Sequence, residues 1–237
     1  MKTTIYKANS RGHANHGWLD TNHTFSFASY YNPERVQFGA LRVLNDDKID
    51  GGTGFPKHPH ENMEIISIPL SGDLAHEDSM GNNSVIKEGD VQVMSAGTGV
   101  VHSEFNHNKD KKTEFLQIWV FPKAQNVEPR YGQHTFKKAD RQNKFQLVVS
   151  PNEADVPTWI HQDTWFHLAD FEEGFSETYQ FKKKGSGLFV FVLEGEIEIE
   201  GNHLDKRDGI SITDTDKIAI TTTENASFLL MEVPLEW

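Results

Sequence analysis

Histidines are the residues of this 237-residue chain best suited to chemistry, and three of them belong to two short patterns. His58 and His60 flank Pro59, and His102 stands two residues before Glu104. In a β-strand, residues two apart project from the same face, so each pair would present both polar side chains together. If both faces look into one interior, three imidazoles and a carboxylate converge there. Such nitrogen and oxygen donors hold a divalent transition metal and leave positions open for small ligands.

The alternative is a polar core cluster that needs no metal. Three neutral imidazoles in an apolar interior would leave several ring nitrogens unpaired, at roughly 1–3 kcal/mol each. A cation removes that cost, and we therefore favour a metal site. We expect His13, His16 and His23 to pack and form hydrogen bonds in an N-terminal segment. The histidines without ligand spacing should lie at the surface or in ordinary hydrogen bonds; they are His76, His107, His134, His161, His167 and His203.

β-strands must position these side chains, because strand signals dominate the chain. Residues 194–200 alternate between polar and apolar types, and short apolar runs recur between turns rich in Gly, Asn and Asp. This spacing predicts an all-β fold with few short helices. The best helical candidate is 161–171. Pro69 cannot donate a ladder hydrogen bond, so we expect its strand to be an edge strand or to be interrupted there. The strongest runs are 41–44, 64–70, 115–121, 188–193 and 228–233.

The order of the turns predicts an internal repeat. The turns at Gly72, Gly81-Asn82 and Gly89 in the first half recur in the same order at Gly195, Gly201-Asn202 and Gly209 in the second. We infer two related β units, residues 1–135 and 136–237, with the polar stretch 122–144 as the linker. Two fused units can cover each other's faces, so we expect a monomer.

The second unit lacks metal-ligand residues at the corresponding offsets. Counted from the glycines, Phe181, Lys183 and Thr222 stand where the first unit has its three histidines. A phenyl ring and an ammonium group cannot coordinate a metal cation. We therefore expect the second unit to be metal-free and to support or cover the first.

Charge and composition exclude several classes of partner. The chain has 23 basic and 35 acidic residues, a net charge of −12, and no basic stripe, so we expect no direct binding of nucleic acid. The absence of cysteine excludes disulfides, thiolate ligands and a cysteine nucleophile. No apolar run reaches the ~18–20 residues that span a bilayer, and residues 1–11 lack the apolar core of a signal peptide. We expect a soluble, cytoplasmic protein.

The glycine context of the histidine patterns resembles the cupin superfamily and, within it, the pirin family. The series Gly52, His58-x-His60-x3-Glu64 and Gly72 is similar to the first cupin motif. The run 94–106, MSAGTGVVHSEFN, departs from the general second motif and resembles the pirin branch. The resemblance covers most of the first ~135 residues and is weaker beyond. Further similar segments are RGHANHGWL at 11–19, TFSF at 24–27, HEDSMGN at 76–82 and LQIWV at 116–120.

The resemblance implies two tandem cupin β-barrels of jelly-roll type and one metal site in the first. It carries ligand roles onto His58, His60, His102 and Glu104. General cupins use the first-motif glutamate instead, here Glu64, which by its spacing from His60 would also point inward. Glu64 is thus an alternative ligand or a supporting partner. One divalent metal per chain is expected, with Fe(II) first and Zn, Mn, Co, Ni or Cu also suited to these donors.

The resemblance also implies a function. Bacterial pirin-like proteins are associated with quercetin 2,3-dioxygenase activity, in which dioxygen opens the central flavonol ring and carbon monoxide is released. Glu104 would then accept the proton of the flavonol hydroxyl. The alternatives are a metal- and redox-sensing regulator that binds a protein partner without turnover, and a metal-assisted proton-transfer enzyme. The candidates for the pocket wall, or else for plain core, are Phe55, Met94, Phe105, Phe115 and Trp119.

Overall fold

The computed structural model describes residues 1–237 and consists almost entirely of β-strands. The helical segments are two single 3₁₀ turns, Ala8–Ser10 and Lys138–Arg141, and no helix is long and apolar enough to cross a membrane. The strands of the first half are β1 (Lys2–Tyr6), β2 (Gly12–Asn15), β3 (Leu19–His23), β4 (Leu41–Ile49), β5 (Gly54–His60), β6 (Glu64–Ser71), β7 (Leu74–Asp78), β8 (Asn83–Ile86), β9 (Asp90–Ser95), β10 (Val100–Asn106), β11 (Thr113–Val120) and β12 (Arg130–Thr135). Those of the second half are β13 (Gln146–Val149), β14 (Trp165–Phe171), β15 (Ser176–Gln180), β16 (Ser186–Glu194), β17 (Ile197–Ile199), β18 (Asn202–Leu204), β19 (Gly209–Thr213), β20 (Lys217–Thr222) and β21 (Ala226–Pro234).

Each half has one large and one small antiparallel sheet, and the two halves repeat one strand order. The first has the sheets β12-β9-β6-β11-β4-β3-β2 and β5-β10-β7-β8. The second has β1-β19-β16-β21-β14-β13 and β15-β20-β17-β18. The order β9-β6-β11-β4 thus recurs as β19-β16-β21-β14, ten strands later. The predictions of an all-β fold and of two jelly-roll units are confirmed, each unit being a two-sheet sandwich.

The first strand of the chain belongs to the large sheet of the second unit. β1 pairs with β19 of the second unit, and β12 pairs with β9 of the first. The stretch 122–144, which we predicted as a linker, therefore contains a strand of the first unit's large sheet. The division after residue 135 stays a prediction, with β1 contributing to the sheet of the second unit.

The main core lies between the two large sheets. The opposite face of each large sheet covers the interior of its own unit, so strands such as β6 and β21 are buried on both sides and have near-continuous apolar sequences. The shared core includes Ile66, Ile68, Leu116 and Ile118 from the first unit and Phe166, Leu168, Leu229 and Met231 from the second.

Double-sided burial also explains why the helix prediction for 161–171 is wrong. The segment contains β14, in which Phe166 and Leu168 face the shared core whereas Ala169 and Phe171 face the interior of the second unit. With both faces apolar, the alternation typical of a strand is absent from the sequence.

Pro69 lies in a central strand rather than an edge strand, but pairing of β6 with β9 ends at Ser67, so the missing amide hydrogen leaves no gap in that ladder.

Strand β1, which pairs with β19 of the second unit, contributes Tyr6 to the shared core. Its ring lies 5.1 Å from that of Phe189 and 5.9 Å from that of Phe25. We expect Tyr6→Ala to lower the free energy of unfolding by about 3–5 kcal/mol, the usual effect of deleting a buried aromatic ring. Urea unfolding followed by fluorescence measures the change. Ile5→Ala, at a 36% exposed position of the same strand, is the matched control. Equal losses in both variants would show that ring packing is not what holds the strand.

Candidate metal centre

Two neighbouring strands bring the predicted histidines together. β5 carries His58 and His60, and β10, its antiparallel partner, places His102 opposite His58. The three ring centroids are 4.5–4.9 Å apart. One ligand nitrogen of each ring lies within 4.8 Å of the other two. The shared face predicted for His58 and His60 is therefore present, and His102 joins them from the next strand.

Glu104 lies beside this cluster and is tied to the opposite sheet. One of its carboxylate oxygens is within 4.8 Å of a ligand nitrogen of His102. Oε1 accepts a hydrogen bond from Ser67 Oγ at 2.9 Å, and Oε2 accepts one from Gln117 Nε2 at 2.6 Å. Burial raises the pKa of Glu104 to about 7, and these two hydrogen bonds oppose that shift. The carboxylate thus has a fixed orientation and no Lys or Arg beside it.

The imidazoles have nitrogen lone pairs that could coordinate a cation. His58 Nδ1 donates to the carbonyl oxygen of Pro56 at 2.7 Å, which leaves the lone pair on Nε2. His60 Nε2 and both nitrogens of His102 are buried and have no hydrogen-bond partner. Burial lowers the pKa of His60 to about 4 and that of His102 to about 2, so both rings are neutral at pH 7. Neutral imidazoles beside a carboxylate are suitable ligands for a divalent first-row metal, which would satisfy these nitrogens.

His76 belongs to the same cluster, although its spacing grouped it with ordinary histidines. It is buried opposite Glu104 in the pairing of β7 with β10. Its Nε2 is 3.0 Å from Asp78 Oδ2, and its Nδ1 is buried without a partner. One of its ring nitrogens lies within 4.8 Å of a ligand atom of His102 and of Glu104. An imidazole oriented by a carboxylate is a common neighbour of metal sites. The one sequence signal for it was its place in the segment 76–82.

Glu64 faces away from the cluster. It lies three residues before Ser67, which points toward Glu104, and therefore on the other side of β6. Its Oε2 accepts a hydrogen bond from Ser95 Oγ at 2.6 Å. The inward direction expected from its spacing to His60 is wrong, because a turn with Asn62 at φ 48° separates β5 from β6 and breaks the alternation.

A cavity of about 620 Å³ opens onto His58, His60 and Glu104. This volume lies within the ~300–1,000 Å³ typical of small-molecule sites. The N-terminal hairpin of β2 and β3 forms part of its wall, as expected for a segment laid across the unit. His23 is buried there and donates from Nδ1 to Asn45 Oδ1 at 2.9 Å. Of the predicted wall residues, Phe55 and Trp119 line the cavity, Met94 and Phe115 are core, and Phe105 is 38% exposed.

The second unit fills the equivalent positions with aromatic and aliphatic side chains. Strand pairing aligns the four predicted ligands of the first unit with Tyr179, Phe181, Ile218 and Ile220, in that order. All four lie in or against the apolar core of the second unit. The offsets counted from the glycines were therefore displaced by two to four residues, because the loops differ in length. A metal-free second unit stays a prediction.

Comparison with known proteins gives full-length matches. Residues 5–120 match the family model described as Pirin, and residues 147–233 match the one described as quercetinase C-terminal cupin domain. A protein of Escherichia coli K12 named quercetin 2,3-dioxygenase is 41% identical and aligns over 97% of this chain and 98% of its own. A pirin-like protein of Caulobacter vibrioides is 42% identical over 93% of this chain and 95% of its own. The crystal structure of the bacterial pirin YhhW from E. coli in complex with nickel(II) superposes with a TM-score of 0.93, at 39% identity, covering 98% of this chain and 99% of that one.

The position of Glu64 leads to a prediction about pH and stability. Burial raises its pKa from 4.5 to about 7, against hydrogen bonds from Ser95 and the main chain of His161 and the charge of Arg130. The folded state then keeps a proton that the unfolded chain releases, so this contribution to stability is full below about pH 4.5 and lost as the pH rises through 7. We expect Glu64→Gln to exceed the wild type in unfolding free energy at pH 8, by on the order of 3 kcal/mol, and the difference to shrink toward pH 5.

Urea unfolding of both proteins at the two pH values measures this difference. Glu61→Gln, which changes an exposed carboxylate in the adjacent turn, is the control and should show no such pH dependence. A difference between Glu64→Gln and wild type that is independent of pH would mean that Glu64 stays ionised in the folded protein.

Proposed function

This chain belongs to the pirin family, and from that premise we propose that it is a metal-dependent quercetin 2,3-dioxygenase that opens flavonols with dioxygen and releases carbon monoxide. The observation that carries the proposal is the set of buried, unpaired imidazole nitrogens beside a carboxylate at the wall of a cavity of small-molecule size. The names of the E. coli relative and of the C-terminal family match support the same activity.

We assign the metal to His58, His60 and His102 through nitrogen and to Glu104 through oxygen, with one divalent ion per chain. The unpartnered nitrogens support this assignment, since a bound cation would satisfy them. Fe(II) is the first candidate for the native metal, and these donors also suit Zn, Mn, Co, Ni and Cu. The nickel(II) in the related bacterial pirin supports a divalent first-row ion.

The chemistry that the metal supplies when bound is Lewis acidity, which lowers the pKa of a coordinated flavonol hydroxyl. Glu104 is the residue that would accept that proton, because it is the carboxylate that lies beside the imidazoles at the wall of the cavity. Both of its oxygens already accept hydrogen bonds, so it would take the proton by releasing Ser67 or Gln117. Phe27, Phe55 and Trp119 supply the apolar wall that receives the flavonol rings.

Metal content tests the ligand assignment. We expect about one divalent ion per purified wild-type chain and a nickel(II) affinity more than ~100-fold lower in the His58→Ala/His60→Ala variant, beyond the effect usual for outer partners. Glu104→Gln should also weaken binding, because it removes the anionic ligand. Elemental analysis and calorimetric titration measure these quantities. His107→Ala, which changes an exposed histidine outside any cluster of possible ligands, is the control. Two ions per chain would contradict the assignment.

Turnover tests the activity. Wild-type protein loaded with metal should consume quercetin only with oxygen present and release carbon monoxide in proportion, whereas the His58→Ala/His60→Ala variant should do neither. Absorbance, oxygen uptake and gas analysis follow the three species. Equal loss of quercetin in the double variant would contradict an enzymatic reaction. Loss without oxygen would favour proton-transfer chemistry, and metal binding without any turnover would favour the regulatory alternative.

A further inference from the structure

The cavity has a polar wall that the proposed metal ligands do not use. Four side chains from two paired strands form it: Thr21 and His23 on β3, and Asn45 and Asp47 on β4. Strand register places Thr21 opposite Asp47 and His23 opposite Asn45, so the four lie side by side on one face. We refer to these four residues as the polar patch. Each is at most 3% exposed, and none forms an ion pair with Lys or Arg.

The hydrogen bond between His23 and Asn45 determines which of their remaining atoms can donate a hydrogen bond to a ligand and which can accept one. An amide oxygen can only accept, so His23 Nδ1 carries the hydrogen at 2.9 Å from Asn45 Oδ1. Burial lowers the pKa of His23, so the ring is neutral and its Nε2 is an acceptor. The Asn45 amide nitrogen remains a donor. One acceptor and one donor therefore stand next to each other in the cavity wall.

Asp47 is the carboxyl group of the polar patch, and unlike its neighbour Asp46 it has no arginine partner. Asp46 points to the opposite side of β4 and pairs with Arg11 at 3.1 Å. Asp47 has no Lys or Arg partner. Burial raises its pKa to about 7, a hydrogen bond with Thr21 opposes the shift, and the charges of Asp46 and Glu104 add to it. A carboxyl group in this state both donates and accepts hydrogen bonds near neutral pH.

The surroundings of the patch define the ligand. Leu19, Phe27, Phe55 and Trp119 line the same cavity and provide apolar surface for a flat ring. A phenolic hydroxyl both donates and accepts, so a ring with adjacent hydroxyls matches the donor, acceptor and carboxyl of the patch. A ring without hydroxyls would offer no hydrogen bond to the donor, the acceptor and the carboxyl of the patch, which selects against it.

We propose that the polar patch is the subsite for a hydroxylated ring of the substrate, with Asp47 as its specificity-determining residue. The chain then prefers flavonols that carry further hydroxyls over 3-hydroxyflavone, which has none besides the metal-binding one. This inference rests on the proposed function for the flavonol class and adds the residues that select among flavonols.

The test compares kcat/KM for quercetin with kcat/KM for 3-hydroxyflavone. Asp47→Leu removes hydrogen bonding and keeps the branched shape of the side chain, and we expect the ratio of the two values to fall about five- to thirtyfold, the range for losing one or two hydrogen bonds. Asp47→Asn should restore most of the preference, because an amide also donates and accepts. Asp20→Asn, an exposed β3 carboxylate that contacts His13 at 2.7 Å, is the matched control and should keep the wild-type ratio.

Binding to nickel(II)-loaded protein separates this proposal from the proposed function. Quenching of tryptophan fluorescence, with Trp119 in the cavity wall, gives the affinity for each flavonol. If wild type prefers quercetin and Asp47→Leu loses that preference, the subsite stands even where no flavonol is consumed, and only the dioxygenase proposal fails. An unchanged preference in Asp47→Leu, an equal loss of affinity for both flavonols, or wild-type protein that binds neither would overturn the subsite.

Discussion

Everything at this site depends on burying polar groups that the protein itself does not pair. His60 and His102 keep nitrogen atoms without partners inside the first unit, where an unmade hydrogen bond costs roughly 1–3 kcal/mol. Such a cluster persists only if the strands around it are held firmly. Glu104 contributes to this, because its two hydrogen bonds cross from the small sheet to Ser67 and Gln117 on the large one. The donor atoms are therefore arranged by the fold before any ligand arrives.

The second unit covers the outer face of that frame. The large sheet of the first unit is apolar on its outer face as well, and the second unit covers that face. β4 shows how directly the two environments are joined, since Asn45 and Asp47 face the cavity whereas Asp46, between them, meets Arg11 at the interface of the units. A change at the interface would reach the cavity through a single strand. We infer that the second unit acts on the chemistry as a scaffold for this strand and its neighbours.

Local spacing predicted those parts of the site that lie within one strand. His58 with His60 share a face because a strand alternates strictly with period two. The same argument failed for Glu64, because a turn at Asn62 lies between it and His60 and resets the alternation. His76 could not be found from spacing, since what brings it to Glu104 is the register between β7 and β10, a long-range pairing that no local pattern encodes. The helix predicted over 161–171 was wrong for a third reason: β14 is buried on both faces, so its sequence lacks the alternation typical of a strand.

The divergence of the two units follows from the same constraint. At the four positions equivalent to the proposed ligands, the second unit has Tyr179, Phe181, Ile218 and Ile220. Complete burial of an aliphatic or aromatic side chain stabilises a fold by roughly 1.5–3 kcal/mol, whereas each unpaired imidazole nitrogen destabilises it by a similar amount. Two units that both carried polar clusters would lose this stabilisation twice. With apolar side chains at Phe181, Ile218 and Ile220 and a shared apolar core between the large sheets, the chain offsets the cost of one cluster of unpaired imidazoles, and that cluster lies in the unit that the N-terminal hairpin covers.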